Sequence, residues 1–210
     1  MRTLFVVLLA AVVAGCAGKV EYVRPTTTSS VINSKTIEKP RDTVWKSTVP
    51  ELGKQFFVIN NLDKSSGLIN LSYSGDPESF IDCGRIVSYV KNARGERTYD
   101  FPGSREQQTY EVMNPNGLFF VERKMSLEGR VNLIFEEIGS NSTKVTANTR
   151  YVITRHITVR QVGNNFPQSR TDTISFNSGG SALFPANIDG QATQCVSTGK
   201  LERDILSLIK

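Results

Sequence analysis

A long alternation of apolar and polar residues in the second half of the chain constrains the fold more than any other feature. One parity of residues 119–136 carries the apolar side chains Phe119, Val121, Met125, Leu127, Val131, Leu133 and Phe135. The other parity is mostly charged or polar, and Arg123 and Gly129 interrupt the apolar line. Because successive side chains of a strand point to opposite faces, the pattern predicts one long strand with a buried face and a bend near Gly129.

The alternation continues beyond a turn at residues 139–142. The next apolar face comprises Val145, Ala147, Tyr151, Ile153, Ile157 and Val159. A second turn at residues 163–169 leads into residues 170–178, where Ile174 and Phe176 keep the same period. The three segments predict an antiparallel meander with one apolar face and one polar face.

The remaining elements are predicted from shorter patterns. Apolar residues recur at helical spacing between residues 45 and 56, and this helix begins near Asp42 or Thr43. Either the helix bends at Pro50, or Thr48 caps a second turn that has Pro50 near its start. A β-hairpin is predicted at 57–60 and 68–73, a strand at 85–92, an edge strand at 107–112 within a long excursion (93–117), and an irregular segment at 179–194.

The chain ends in a second helical stripe, made of Leu201, Ile205, Leu208 and Ile209. A sheet with one apolar face needs a cover, and the two amphipathic helices supply it. The sequence therefore predicts the α+β class: a curved antiparallel sheet with a long meander, covered by an N-terminal and a C-terminal helix.

The first fifteen residues have the features of a secretory signal peptide. Arg2 precedes an uncharged apolar core from Leu4 to Val13, which is about half as long as a membrane-spanning helix must be. Residues 17–39 are rich in Thr and Ser and show no period. The predicted organisation is a signal peptide (1–15), a lipidated N-terminus and flexible tether (16–39) and a single domain (40–210).

The stretch Val13-Ala14-Gly15-Cys16 resembles the bacterial lipobox. The resemblance implies that Cys16 receives a diacylglycerol, that the leader is cut before it and that the new amino group is acylated. Multiple acyl chains would hold the protein stably at a membrane. Ala17 follows where an aspartate would resemble an inner-membrane retention signal, which favours the periplasmic face of the outer membrane over the inner membrane. The alternative is an ordinary secreted protein with an incidental cysteine.

Two cysteines remain, Cys83 and Cys195. An even pair in an oxidising compartment predicts a disulfide bond. The rival interpretation, a Cys/His metal site, lacks ligands, because His156 is the single histidine and no CxxC motif exists. Neither a metal nor a cofactor is expected.

The net charge of +5 is spread along the chain without a block of like charges, which argues against a nucleic-acid partner. A basic surface could meet anionic lipid or peptidoglycan, although a solvated surface is the simpler interpretation.

The first predicted helix and hairpin resemble a helix-grip domain of the C lipoprotein in the outer-membrane β-barrel assembly machinery. Asp42, Trp45, Leu52, Asp63, Gly67 and Ile69 carry the resemblance, which covers about thirty residues. It implies a helix-grip-like fold and transfers no functional residue.

No catalytic set is evident, so a non-enzymatic role is expected. His156 falls on the polar face of its strand, and Asp76, Glu78 and Asp82 share a loop without EF-hand spacing. A hydrolase would depend on His156.

Trp45, Phe56 and Phe57 could form a ligand or partner surface, with core packing as the alternative. The leading hypothesis is an anchored module that binds an envelope protein. The alternative is a carrier of an apolar ligand in a cavity between sheet and helix.

Overall fold

The computed structural model describes residues 17–26, 32–55, 57–164, 166–188 and 190–210. Strands account for 61% of these residues and helices for 11%. The two helices of the described ranges are α1 (Arg41–Gly53) and α2 (Lys200–Ser207). The strands are β1 (Ala17–Val23), β2 (Ser34–Ile37), β3 (Val58–Asp63), β4 (Leu68–Gly75), β5 (Ile81–Asp82), β6 (Arg85–Asn92), β7 (Gly95–Pro102), β8 (Gln107–Asn114), β9 (Gly117–Gly139), β10 (Ser142–Gln161), β11 (Gln168–Asn177), β12 (Ser181–Phe184) and β13 (Thr193–Ser197).

The predicted α+β class, with its helix-grip-like cover of two helices, is wrong, because the molecule is mostly β with several antiparallel sheets. The physical reason is length. At a rise of about 3.3 Å per strand residue, β9 extends for about 75 Å, whereas α2 extends for about 12 Å at 1.5 Å per helix residue. Helices this short cannot cover strands this long, and further strands cover much of the apolar face.

The predicted meander is present within the central sheet. The strand order is β11-β10-β9-β4-β3, with β8 also paired to β9 and β2 to β10. The β9–β10 pairing reaches from the Gly139–Ser142 end to Phe119 and Gln161, and it continues through Gly129, which lies opposite Tyr151. The β3–β4 hairpin confirms the predicted one.

Two small sheets complete the fold, in the orders β1-β6-β7 and β12-β13-β5. Their strands include β7 and β12, which fall in segments predicted as an excursion or as irregular. Most residues of β7 are exposed, so this edge strand carries mainly polar side chains and lacks an alternating pattern. Strands of this kind give little periodic signal in a sequence.

The segment expected to be a tether also contributes strands. β1 pairs with β6 along its whole length, and the Tyr22 hydroxyl donates to the Gln194 carbonyl at 3.0 Å. β2 pairs with β10, and Ile37 is buried. Residues 27–31, Cys16 and the predicted signal peptide lie outside the described residues.

One large hydrophobic cluster, the main core, lies between the central sheet, both helices and the β12-β13-β5 sheet. It includes Trp45, Leu52, Leu71, Leu127, Leu133, Phe135, Tyr151, Ile153, Phe184, Leu201 and Ile205. Each such side chain contributes about 1.5–3 kcal/mol on full burial. Gly129 leaves room for α2, since a Cβ at this position would lie 2.9 Å from Leu201 Cδ2.

Helix α1 runs without interruption through Pro50. The Thr48 hydroxyl donates to the Val44 carbonyl at 2.8 Å, one turn earlier in the same helix, so Thr48 does not cap a second helix. Asp42 lies in the first turn and binds Lys64 at 3.0 Å.

Helix α2 is fastened to the sheet by a buried carboxylate. Glu202 is fully buried and accepts hydrogen bonds at 2.6 Å from the hydroxyls of Tyr151 and Ser178. Burial, together with the neighbouring Glu202 carboxylate, raises the pKa of Tyr151 well above its ordinary value. The helix therefore packs through a polar contact as well as through its apolar stripe.

A second, smaller cluster, the minor core, lies near the other end of β9 and β10. Its buried members are Ile86, Phe101, Tyr110, Val112, Phe119, Val121 and Ile157. Val20 and Tyr22 of β1 pack against it, so this cluster joins the central sheet to the β1-β6-β7 sheet.

Candidate functional site

The predicted disulfide bond is present. Cys83 and Cys195 are joined by an S–S bond of 2.01 Å, and both residues are fully buried. Cys195 lies in β13, which pairs with β5 immediately before Cys83. The bond therefore ties the small β12-β13-β5 sheet together inside the main core.

Two buried arginines, Arg123 and Arg155, lie on the inner face of β9 and β10. They are 1% and 2% exposed. In the strand register Arg123 is opposite Ile157 of the minor core, and Arg155 is opposite Met125 of the main core. The arginine pair therefore marks the boundary between the two cores. Arg123 is buried on the same face as the apolar residues of β9, and the strand continues through it.

Each arginine is bound to neighbouring segments. Arg123 Nη2 donates to the Gly103 carbonyl. Arg155 Nη2 donates to Asp172 Oδ2 at 2.9 Å and to the Pro185 carbonyl at 2.8 Å, and its guanidinium lies 4.5 Å from the Phe184 ring centre. These partners give the pair a structural role, because they tie β11 and the segments after β7 and β12 to the long strands.

Asp172 is the carboxylate partner of Arg155. Burial raises the pKa of Asp172, but hydrogen bonds and charges from Arg155 and Arg170 outweigh it, so the pKa lies below its ordinary value. The carboxylate is ionised at neutral pH, as a nearly buried guanidinium requires.

The structure does not assemble a catalytic set around His156. The ring is exposed on the outer face, where Nδ1 lies 2.8 Å from the Thr171 hydroxyl and Nε2 lies 3.4 Å from that of Thr158. Hydroxyl rows between β10 and β11 account for both contacts.

The acidic loop is engaged by its own backbone. Asp76 Oδ1 accepts from the Glu78 amide and Asp82 Oδ1 from the Gly84 amide, each at 2.8 Å. Among the described residues, no three His, Cys, Asp or Glu side chains are grouped as metal ligands would be.

A groove of about 900 Å³ opens at the end of the molecule where β1 begins. It lies among the β6–β7 turn, the β8–β9 turn and the end of β10. Its apolar lining comes from Met113, Pro115, Leu118, Phe120 and Val162. Neither α1 nor α2 contributes to it, so it is not the cavity between sheet and helix that a ligand carrier was expected to have.

The floor of the groove depends on a close approach of two strands. A Cβ at Gly18 would lie 2.4 Å from Met113 Cβ, so β1 crosses β8 only because residue 18 is glycine. Glu111 is buried beside the groove, and its carboxylate lies 3.3 Å from Arg97 Nε. Burial and the nearby Glu111 raise the pKa of Tyr99.

Two of the three residues predicted to form a ligand or partner surface, Trp45 and Phe57, pack against other aromatic rings. Trp45 is buried, with its ring centre 5.2 Å from that of Phe135. Phe57 packs against Tyr73 at 6.5 Å, and Phe56 lies outside the described residues. Core packing, the alternative interpretation, holds for Trp45.

An exposed apolar edge begins at the residue after Phe57. Val58 and Leu62 of β3 are 61% and 45% exposed. β3 is the last strand of the central sheet on this side, and no described strand pairs with its outer edge. Its free amide and carbonyl groups, flanked by two apolar side chains, are the features that a partner strand needs.

Sequence reasoning missed both the groove and the edge. One signal for the groove was available, since Phe120 is a large aromatic on the mostly polar parity of β9. The edge gave no comparable signal, because the residues of β3 do not show that this strand lies at the edge of a sheet.

Comparison of the chain with protein-family models, curated proteins and solved structures found no match. Neither described helix has the length and apolar character needed to cross a membrane.

Proposed function

We propose that this protein is a lipid-anchored lipoprotein on the periplasmic face of the outer membrane that binds an envelope protein and has no enzymatic activity. The observation that carries the binding role is the exposed edge strand β3. The lipobox at residues 13–16 supports the anchor, and Ala17 supports the outer membrane.

The Cys83–Cys195 bond supports the compartment. Disulfides persist in oxidising compartments such as the bacterial periplasm and are rare in the cytosol. An exported chain with a buried disulfide fits the leader peptide, and both features point away from the cytosol.

The edge of β3 favours an extended segment of the partner as its ligand. Backbone hydrogen bonds would supply affinity, and Val58 and Leu62 would supply apolar contact. The pairing irregularity between Ile59 and Asn61 limits the regular edge to a few residues, so the partner strand would be short.

The binding role is tested by recovering crosslinked partners from intact envelopes. The Val58→Lys variant adds charge to the edge and should lose the partner that the wild type recovers. Leu183→Lys is the matched control, because Leu183 is 62% exposed on a different sheet. Equal recovery by both variants, or recovery of random contaminants alone, would contradict the proposal.

The anchor is tested separately. The wild type should incorporate a fatty-acid probe and fractionate with the outer membrane, and Cys16→Ser should do neither.

A second candidate function, a carrier of an apolar ligand, is favoured by the size of the groove, which lies within the 300–1,000 Å³ typical of ligand pockets. Native mass spectrometry of the purified protein should then show a stoichiometric apolar molecule that organic solvent releases. A bare polypeptide mass in every preparation would contradict it.

A further inference from the structure

We propose that the end of the molecule around the groove, the hairpin end, lies directly on a bilayer containing anionic phospholipid, with the groove open to the lipid. The inference rests on the proposed anchor at Cys16. A flexible tether would hold the folded body away from the membrane. In this inference the folded body instead touches the membrane in one fixed orientation.

The strand pairings place several chain reversals at this end. β6 and β7 end their pairing at Asn92 and Gly95, and β8 and β9 end theirs at Asn114 and Gly117. The β10 strand finishes here too, where the Val162 amide donates to the Leu118 carbonyl at 2.9 Å. The first residue of β1 is at the same end, since Ala17 pairs with Lys91.

The position of Ala17 leaves almost no flexible chain between the anchor and the folded body. Ala17 is already held in a sheet, and consecutive Cα atoms are about 3.8 Å apart, so an acylated Cys16 reaches only one residue beyond the folded body. Acyl chains inserted in a bilayer therefore bring the hairpin end to the membrane surface.

The hairpin end presents apolar groups that suit this contact. Phe166 is 83% exposed and Val162 is 54% exposed, both in the segment that follows β10. Beside them the groove exposes Leu118 and Phe120. Exposed apolar side chains beside an open groove are typical of a membrane or protein contact, and the adjoining anchor selects the membrane.

The charges at this end complement anionic headgroups. Glu111 is paired with Arg97, and Glu96 with Lys91. Arg94 lines the groove and Arg160 lies over the Phe120 ring at 5.3 Å, and within the described part of the chain neither forms an ion pair. Each such cation near an anionic surface is worth about 1 kcal/mol.

Tryptophan fluorescence on the protein purified with the acyl groups that it carries tests the inference. The protein is reconstituted into vesicles of zwitterionic and anionic phospholipid whose acyl chains carry bromine, a contact quencher. The single native tryptophan, Trp45, is buried in the main core and gives the same background in every variant. Phe166→Trp reports from the hairpin end, and Leu183→Trp, 62% exposed on β12, is the matched control.

The added emission of Phe166→Trp should be largely lost and that of Leu183→Trp retained. Equal emission from both variants on protein that floats with the vesicles would overturn the docking and leave the anchor standing. Protein that carries no acyl group by mass spectrometry and does not float would overturn both. Unacylated protein that floats with quenched Phe166→Trp emission would support the docking and overturn the anchor.

Discussion

The main core and the minor core are built on the same two strands, yet they close in different ways. The main core is covered by two helices and a disulfide-linked sheet. The minor core is covered by strands and by Ile188 of the segment between β12 and β13, and the groove lies beside it. One end of the long β9–β10 ladder is thus made for stability, and the other end leaves apolar surface for contact.

The arginine pair lies where these two regions meet. A buried guanidinium in an apolar face needs partners, and the partners of Arg155 come from β11 and from the residue after β12. The two regions therefore meet at a set of polar contacts. Substitutions at these contacts test whether the regions are independent.

The largest expected effect is on the main core. Removing the disulfide in Cys83→Ala/Cys195→Ala should lower the free energy of unfolding by about 4–5 kcal/mol, since the closed loop spans 112 residues. Urea denaturation measures the change. Reductant should lower the stability of the wild type and leave the double variant unchanged, and equal sensitivity of the two proteins would contradict this role.

The next effect is at the boundary. Asp172→Asn leaves Arg155 buried without a counter-charge and should cost about 3–5 kcal/mol at neutral pH. Asp204→Asn, which breaks the exposed pair with Lys200, is the control and should change little.

The pH dependence of the stability follows from the direction in which folding shifts the pKa of Asp172. The pKa of Asp172 is lowered in the folded state, so its stabilisation is present above the ordinary aspartate pKa of about 3.9 and is lost as the pH falls through the folded value. The difference in stability between wild type and Asp172→Asn should therefore narrow below about pH 4. A difference that is constant from pH 7 to pH 3 would contradict the assignment.

A smaller effect tests the comparison directly. Ile153 belongs to the main core and Ile157 to the minor core, and both are buried on β10. Ile153→Val and Ile157→Val should each cost about 0.5–1.5 kcal/mol. Because the sites are about 13 Å apart along the strand, the two losses should add in a single transition. Two separate transitions would show that the cores unfold independently.

The smallest effect is at the hairpin end. Phe166→Ser removes an exposed side chain and should change the free energy of unfolding by less than about 0.5 kcal/mol. A larger loss in urea denaturation would mean that Phe166 packs in solution, and the hairpin end would then have less surface to offer a membrane.

Much of the local structure could be predicted from the sequence. The bounds of β6 match the predicted strand at 85–92, and the predicted apolar faces of β9 and β10 are buried except at Val159, which is half-buried. Arg123 and Arg155 could not be placed, because a charged side chain on an apolar parity is equally compatible with a strand break. Trp45 could not be assigned to core or surface, since its burial depends on Phe135, ninety residues away.

By itself the sequence determined the long paired strands, the disulfide partners and the terminal helices, because each rests on a local period or on a count of one residue type. Only the tertiary structure decided the fold class, the membership of β1 and β7 in a sheet, the open edge of β3 and the position of the groove. Those features depend on which distant segment covers which face. A short polar edge strand and a loop have similar sequences, and the free energy that separates them comes from neighbours far along the chain.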